Sequence, residues 1–127
     1  MAGRYNKKRN TMEHQNRIEL RGIVGAIKIQ TVSENRKVAR IRLVTSRAYK
    51  NMQGEPVIED TWHNIAAWEG RDVRTLEDIK AGSPLHVVGR MRSQQYTASD
   101  GTERYSYDVA AIKVELINLN EEFLCEN

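Results

Sequence analysis

The stretch VARIRLVT, residues 38–45, alternates without a break: Ala39, Ile41 and Leu43 fall on one side, Arg40 and Arg42 on the other. Successive side chains leave a strand on opposite faces, so a period of two marks a half-buried strand. A chain carrying it needs a sheet with a core behind, and here the solvent face is basic. The same period recurs from Asn16, where Ile18, Leu20, Gly22 and Val24 alternate with Arg17, Glu19, Arg21 and Ile23. Gly22 and Gly25 are candidate bulges that would bend this long first strand.

Turn signals divide the rest. KNMQGEPVIED, residues 50–60, contains Gly54 and Pro56 and reads as a long hairpin connection into a third strand over Thr61–Trp68. GRDVRTLEDIKA, residues 70–81, spaces Val73, Leu76 and Ile79 at i, i+3 and i+6, which predicts one short amphipathic helix stopping at Lys80 and Gly82. After Pro84, LHVVGRMR is a fourth strand, QQYTASDGTERY a hairpin loop around Asp100-Gly101, and YSYDVAAIKVELI a fifth strand. The expected class is all-β with one short helix. Three strands, a helix and two strands is the order of the OB-fold, a five-stranded, partly open Greek-key barrel with its helix between strands 3 and 4, and other small β-barrels share the count.

At 127 residues the chain is the size of one domain with one core. Residues 16–117 are assigned to the barrel, residues 1–15 to a flexible basic N-terminal arm with Arg4, Lys7, Lys8 and Arg9, and residues 118–127 to a short tail. The lone Cys125 excludes an intramolecular disulfide and argues against a cysteine-based metal site, which fits a reducing, cytoplasmic setting. No apolar run nears the roughly 20 residues that cross a bilayer, so a soluble protein without membrane association is expected.

Charge is split along the chain. Residues 1–50 carry 13 Lys+Arg against 3 Asp+Glu and residues 51–127 carry 7 against 14, so the halves stand at +10 and −7. A basic half suits an anionic polymer, although the charges can also cancel across a folded surface.

Both tryptophans lie in DTWHNIAAWEG, residues 60–70. Strand parity puts Trp62, Asn64, Ala66 and Trp68 on one face and His63, Ile65 and Ala67 on the other. Two outcomes are open for the indoles: packing in a core, or a platform on which bases stack, with small spacers leaving the rings accessible. Tyr49 in SRAYK and Tyr96 in QQYTAS stand where an aromatic has little structural use, accompanied by Arg40, Arg42, Arg47 and Lys50 and by Arg90 and Arg92. Rings for bases and cations for phosphates are what a single-strand groove needs. Catalysis is not expected: His14, His63 and His86 are scattered, and no HExxH spacing, phosphate loop or nucleophile elbow occurs, which leaves no metal and no cofactor to propose.

Over residues 16–117 these segments resemble the bacterial single-stranded DNA-binding protein family. NRIELRGIVG is similar to its opening strand, VARIRLVTSRAYK to its second strand running into an aromatic, and DTWHNIAAWEG to its Trp-His strand ending in an aromatic. IKAGSPLHVVGRMRSQQYTASDGTERYSYDV resembles the family's Lys-Gly-Ser, Gly-x-x-Arg, aromatic, Asp-Gly and Arg-Tyr succession. The resemblance implies base stacking on Tyr49, Trp62, Trp68 and Tyr96, and phosphate contacts from Arg92 and Lys50 with Arg21, Arg42 and Arg90 as neighbours. It places His63 near a subunit contact and implies a homotetramer, or a dimer, that holds single-stranded DNA in replication, recombination or repair. The chain ends NEEFLCEN, without the family's Gly/Pro/Gln-rich linker and acidic Pro-Phe tip, so recruitment of replication enzymes through a tail is not expected. The alternative is a primosomal or protein-interaction OB-fold module whose aromatic face meets a protein.

Overall fold

The computed structural model describes residues 12–33, 35–70, 72–73 and 76–118. Residues 1–11 of the expected arm and 119–127 of the expected tail, Cys125 included, lie outside the described residues. Five strands, β1 (Ile18–Ser33), β2 (Arg36–Lys50), β3 (Pro56–Trp68), β4 (Pro84–Thr97) and β5 (Glu103–Leu116), close into a barrel in the order β1-β2-β3-β5-β4. Every junction is antiparallel except β3–β5, which is parallel and has only two register pairs, Ile65 with Val109 and Ala66 with Ala110. This OB-fold barrel is therefore closed by a narrow seam, and that seam lies beside the tryptophan strand.

The alternating residues deliver the core as parity requires. Leu20, Val24, Ala39, Ile41, Leu43, Ile65 and Ala67 are buried, joined by Leu85, Val87 and Val109. Gly22 is not a bulge: it pairs regularly with Leu85, and a Cβ there would lie 2.2 Å from the Val44 carbonyl oxygen, so the site needs a residue without one. The bulge falls at Gly25, where the β1–β2 register shifts between Val24 and Ala26. Asn16, just before β1, clamps it to β4 by donating to the Met91 carbonyl at 2.8 Å and accepting from the Met91 amide at 3.0 Å.

The structure corrects the expected helix over 70–81. Among the described residues only a 3₁₀ turn forms, at Leu76–Asp78, preceded by a tight bridge in which Gly70 and Val73 exchange backbone hydrogen bonds. The physical reason is in the spacing: Val73, Leu76 and Ile79 recur every three residues, the period of a 3₁₀ helix, and no apolar residue follows at i+4 to fill an α-helical stripe. All three are buried, and the Ile79 amide donates to the Leu76 carbonyl three residues back. Lys37 pairs with Glu77, tying this turn to β2.

Both hairpin loops are shorter than expected. The connection after Lys50 occupies only Asn51–Glu55, because the Asn51 side-chain oxygen accepts from the Gln53 and Glu55 amides and the backbone closes from the Asn51 amide to the Glu55 carbonyl. Asp100 does the same for β4–β5 by accepting from the amide and hydroxyl of Thr102. Tyr49 and Tyr96 consequently stand on strand extensions and not in loops.

Candidate nucleic-acid interface

The outward face of β3 is neither core nor bare surface. Trp62 is 49% and Trp68 37% exposed, while Ile65 and Ala67 on the opposite parity are sealed in the barrel. The indole of Trp62 is held by its edge: a Cβ on Gly25 would sit 2.5 Å from its ring carbon, so the ring crosses the β1 bulge where only glycine leaves room. Its face is covered by the Arg42 guanidinium, 4.8 Å from the ring centroid. Trp68 carries Arg36 at 4.7 Å in the same manner, and Tyr49 carries Arg47 at 5.0 Å. Rings lightly capped on the face, one of them also fixed at its edge, suit an exchangeable planar partner.

Register extends this face across four strands. Arg40 pairs with Ala66, Ala66 with Ala110 and Ala110 with Arg90, so one row runs from β2 through β3 and β5 to β4 with arginines at its ends and alanines between. Two residues along β2, β3, β5 and β4 in turn, on the same face, stand Arg42, opposite Asn64, and Asp108, opposite Arg92. A hollow lined by Arg40, Arg42, Asn64 and Asp108 lies over the seam, and a second, lined by Trp62, His63, Asn64, Met91, Tyr107 and Asp108, adjoins it. The row itself is low between its two arginines because Ala66 and Ala110 carry only methyl groups, while Ile41 and Ile65 complete the lining of the first hollow.

Of the expected site residues, Trp62, Trp68, Arg42, Arg90 and Arg92 share this face, and Tyr96, 47% exposed, continues it on the β4 extension at the parity of Arg92. Lys50 keeps the parity of Arg42 at the tip of β2–β3. Tyr49 has the parity of Leu43 and so lies on the other side of the β2–β3 ribbon from Trp62. Arg21 stands apart, on the β1–β4 junction, two strands from β3 either way round the barrel. Its register partner His86 bridges Glu19 at 2.6 Å and Glu115 at 3.3 Å, which makes that surface partly acidic. The His86 hydrogen bonds hold both carboxyls below their usual range.

Four residues were missed by sequence reasoning. Arg36 caps Trp68. Asp108 grips Arg92 in a two-pronged ion pair, Nε to Oδ1 at 3.0 Å and Nη2 to Oδ2 at 2.8 Å. Tyr105 and Tyr107 share the parity of buried Val109 yet are each 61% exposed, because β5 there has run past the end of the barrel. The alternation YSYDV was a visible signal for the tyrosines; the Arg92–Asp108 pair needed the β4–β5 register.

His63 is half-buried on the inner parity of β3, with Nε2 3.0 Å from the Thr45 hydroxyl. Burial pushes its pKa below the ordinary 6.5. In the folded protein it therefore binds its proton later than in the unfolded chain, so its contribution to stability is fully present above pH 6.5 and is lost as pH falls through the folded value. A series of thermal melts between about pH 8 and pH 5 should show Tm falling on the acid side, and His63→Gln should flatten that part of the curve. An unchanged slope in the variant would assign the acid sensitivity elsewhere.

Known proteins share the sequence pattern and the fold. The sequence model described as "Single-strand binding protein family" matches residues 15–117. A single-stranded DNA-binding protein of Neisseria meningitidis (serogroup A) is 27% identical over 85 residues, 67% of this chain and 49% of that protein, and the Xylella fastidiosa single-stranded DNA-binding protein 1 is 23% identical over 113 residues, 87% and 83%. The chain spans about half the length of the first curated relatives it matches. Among solved structures, the Plasmodium falciparum SSB complex with ssDNA superimposes with a TM-score of 0.70 at 21% identity, covering 85% of this chain and 97% of that one. A deletion mutant of the Thermus aquaticus single-stranded DNA binding protein gives 0.69 at 18%, covering 82% and 51%. With the matching segment running from the start of β1 to just past β5, the whole barrel included, the chain belongs to the single-strand binding protein family.

Proposed function

We propose that the chain binds single-stranded DNA with little sequence preference and shields it during replication, recombination or repair. The observation that carries this is the four-strand row of Arg40, Ala66, Ala110 and Arg90, flanked by two half-exposed indoles. Alanines leave room for a strand over the seam, arginines at both edges attract phosphates, and Trp62, Trp68 and Tyr96 offer rings to bases, which stack regardless of sequence. Lys50 extends the track along the β2–β3 hairpin, whereas Tyr49, on the other side of that ribbon, could meet a strand only where it wraps round the hairpin tip, and Arg21 is left out. No catalytic step is assigned to any residue. Competition tests the reading: oligo-dT should displace a labelled single strand far better than duplex DNA or heparin of equal charge, and equal displacement by all three would reduce the site to a cationic surface.

Asp108 stands in this track as a negative charge that neutralises Arg92. Asp108→Asn should therefore tighten oligo-dT binding several-fold at low salt and steepen its salt dependence, since a freed cation releases a further counterion on contact with phosphate. Weaker binding by the folded variant would mean that Asp108 serves chiefly to aim Arg92. We further infer a homotetramer with His63 close to a subunit contact and an intracellular location with the exposed strands. Met91, Tyr105 and Tyr107, at 52%, 61% and 61% exposure, support an oligomer because they leave an apolar strip on the β4–β5 extension. The mass in solution tests it.

A further inference from the structure

One register relation occurs twice on the β2–β3 face. Trp62 pairs with Val44 and Trp68 with Val38, and in both cases the arginine two residues earlier on β2, Arg42 or Arg36, lies diagonally across and seats its guanidinium on the ring at 4.8 or 4.7 Å. The six-residue step from Arg36 to Arg42 runs antiparallel to the six-residue step from Trp62 to Trp68, so this is one device used twice. Between them Arg40 faces Ala66, which has no ring to offer. A guanidinium on a water-exposed ring is held more weakly than a stacked base, because solvation of the cation competes with the ring quadrupole. A base arriving at either indole can therefore take the face the arginine occupies. The displaced guanidinium is left on an exposed strand face, free to pair with an anion.

We propose that Arg36 and Arg42 are exchange ligands of the DNA strand: in the free protein they cover Trp68 and Trp62, and on binding they hand the ring faces to bases and move to the flanking phosphates. This rests on the stacking role of the two tryptophans. The caps keep two large apolar surfaces from offering themselves to other chains, and they place a phosphate ligand beside each base site in advance. Arg36, which no motif singled out, becomes a strand-contacting residue, and lysine is a poor substitute at both positions because it lacks the planar face that stacks.

The test is NMR of the arginine Nε–Hε groups in the whole protein, with Arg36→Lys and Arg42→Lys providing the assignments. In the free protein both groups should be shielded by the indole ring currents, and saturating oligo-dT should release that shielding. Salt dependence gives the second reading: Arg36→Gln with Arg42→Gln should make the slope of log K against log salt shallower by about 1.4, two single-strand phosphate contacts at about 0.7 each. The double variant should still show oligo-dT quenching. Arg40→Gln, the control, should change the slope without changing the tryptophan emission of the free protein. Shielding that persists in the complex, or a slope unchanged in the folded double glutamine variant, overturns the exchange while leaving stacking intact. Absence of any oligo-dT quenching in the wild-type protein removes the stacking reading and the exchange with it.

Discussion

Replacing Trp62 and Trp68 together with alanine should weaken binding to oligo-dT by about 30-fold to 20,000-fold, since each stacked base contributes roughly 1–3 kcal/mol and each 1.4 kcal/mol is tenfold. The rings reach this value because they are positioned in advance: the Trp62 edge is fixed over Gly25, and Trp68 ends a strand whose other parity is sealed in the core. What remains in the double variant is stacking on Tyr96 and attraction between phosphates and Arg36, Arg40, Arg42, Lys50 and Arg90, so residual binding should be largely electrostatic and fall steeply with salt. Each ring also covers some apolar surface, so a melt must accompany the titration. Unchanged affinity in a folded double variant would contradict the account.

The largest effect on stability is expected at Leu76. Its side chain is fully buried among Val73, Ile79 and the barrel core, although it sits in a turn of only three residues. Leu76→Ala should destabilise by about 2–5 kcal/mol, the range for leucine truncations that leave a cavity. For a domain of this size that corresponds to a fall in Tm of roughly 10–20 °C. Affinity for oligo-dT below the transition should not change, because the turn contributes nothing to the four-strand row. A loss of less than about 1 kcal/mol would mean that the turn yields and refills the space, and that Leu76 is not a fixed part of the core.

What could be read from sequence follows from where the core lies. Ala39, Ile41 and Leu43 announce β2 because one side of the strand is buried and the other is not. That contrast disappears beyond the barrel: residues 46–50 and 93–97 are exposed at both parities, so the strands run on with no periodic signal and their ends looked like loops. The expected α-helix gives way to a 3₁₀ turn because Val73, Leu76 and Ile79 recur every three residues, the eclipsed 3₁₀ period, and not every 3.6. Parity alone put the two indoles on one face, since both belong to a single strand. Their arginine caps, and the Asp108 clamp on Arg92, depend on pairing between strands. The row from Arg40 to Arg90 depends further on the parallel β3–β5 seam, which joins residues more than 40 positions apart in the chain. Local sequence does not encode such a junction.

The central claim is that Trp62 and Trp68 present ring faces to bases. It is tested most directly by titrating the intact protein with oligo-dT at low salt while recording tryptophan emission, with an abasic oligonucleotide of the same length alongside. Both indoles lie at the proposed contact, so oligo-dT should quench most of the emission and saturate at a fixed number of nucleotides per chain, while the abasic strand binds more weakly and quenches little. Equal binding and equal emission with the two strands would show that phosphates alone are recognised and that the rings serve another purpose.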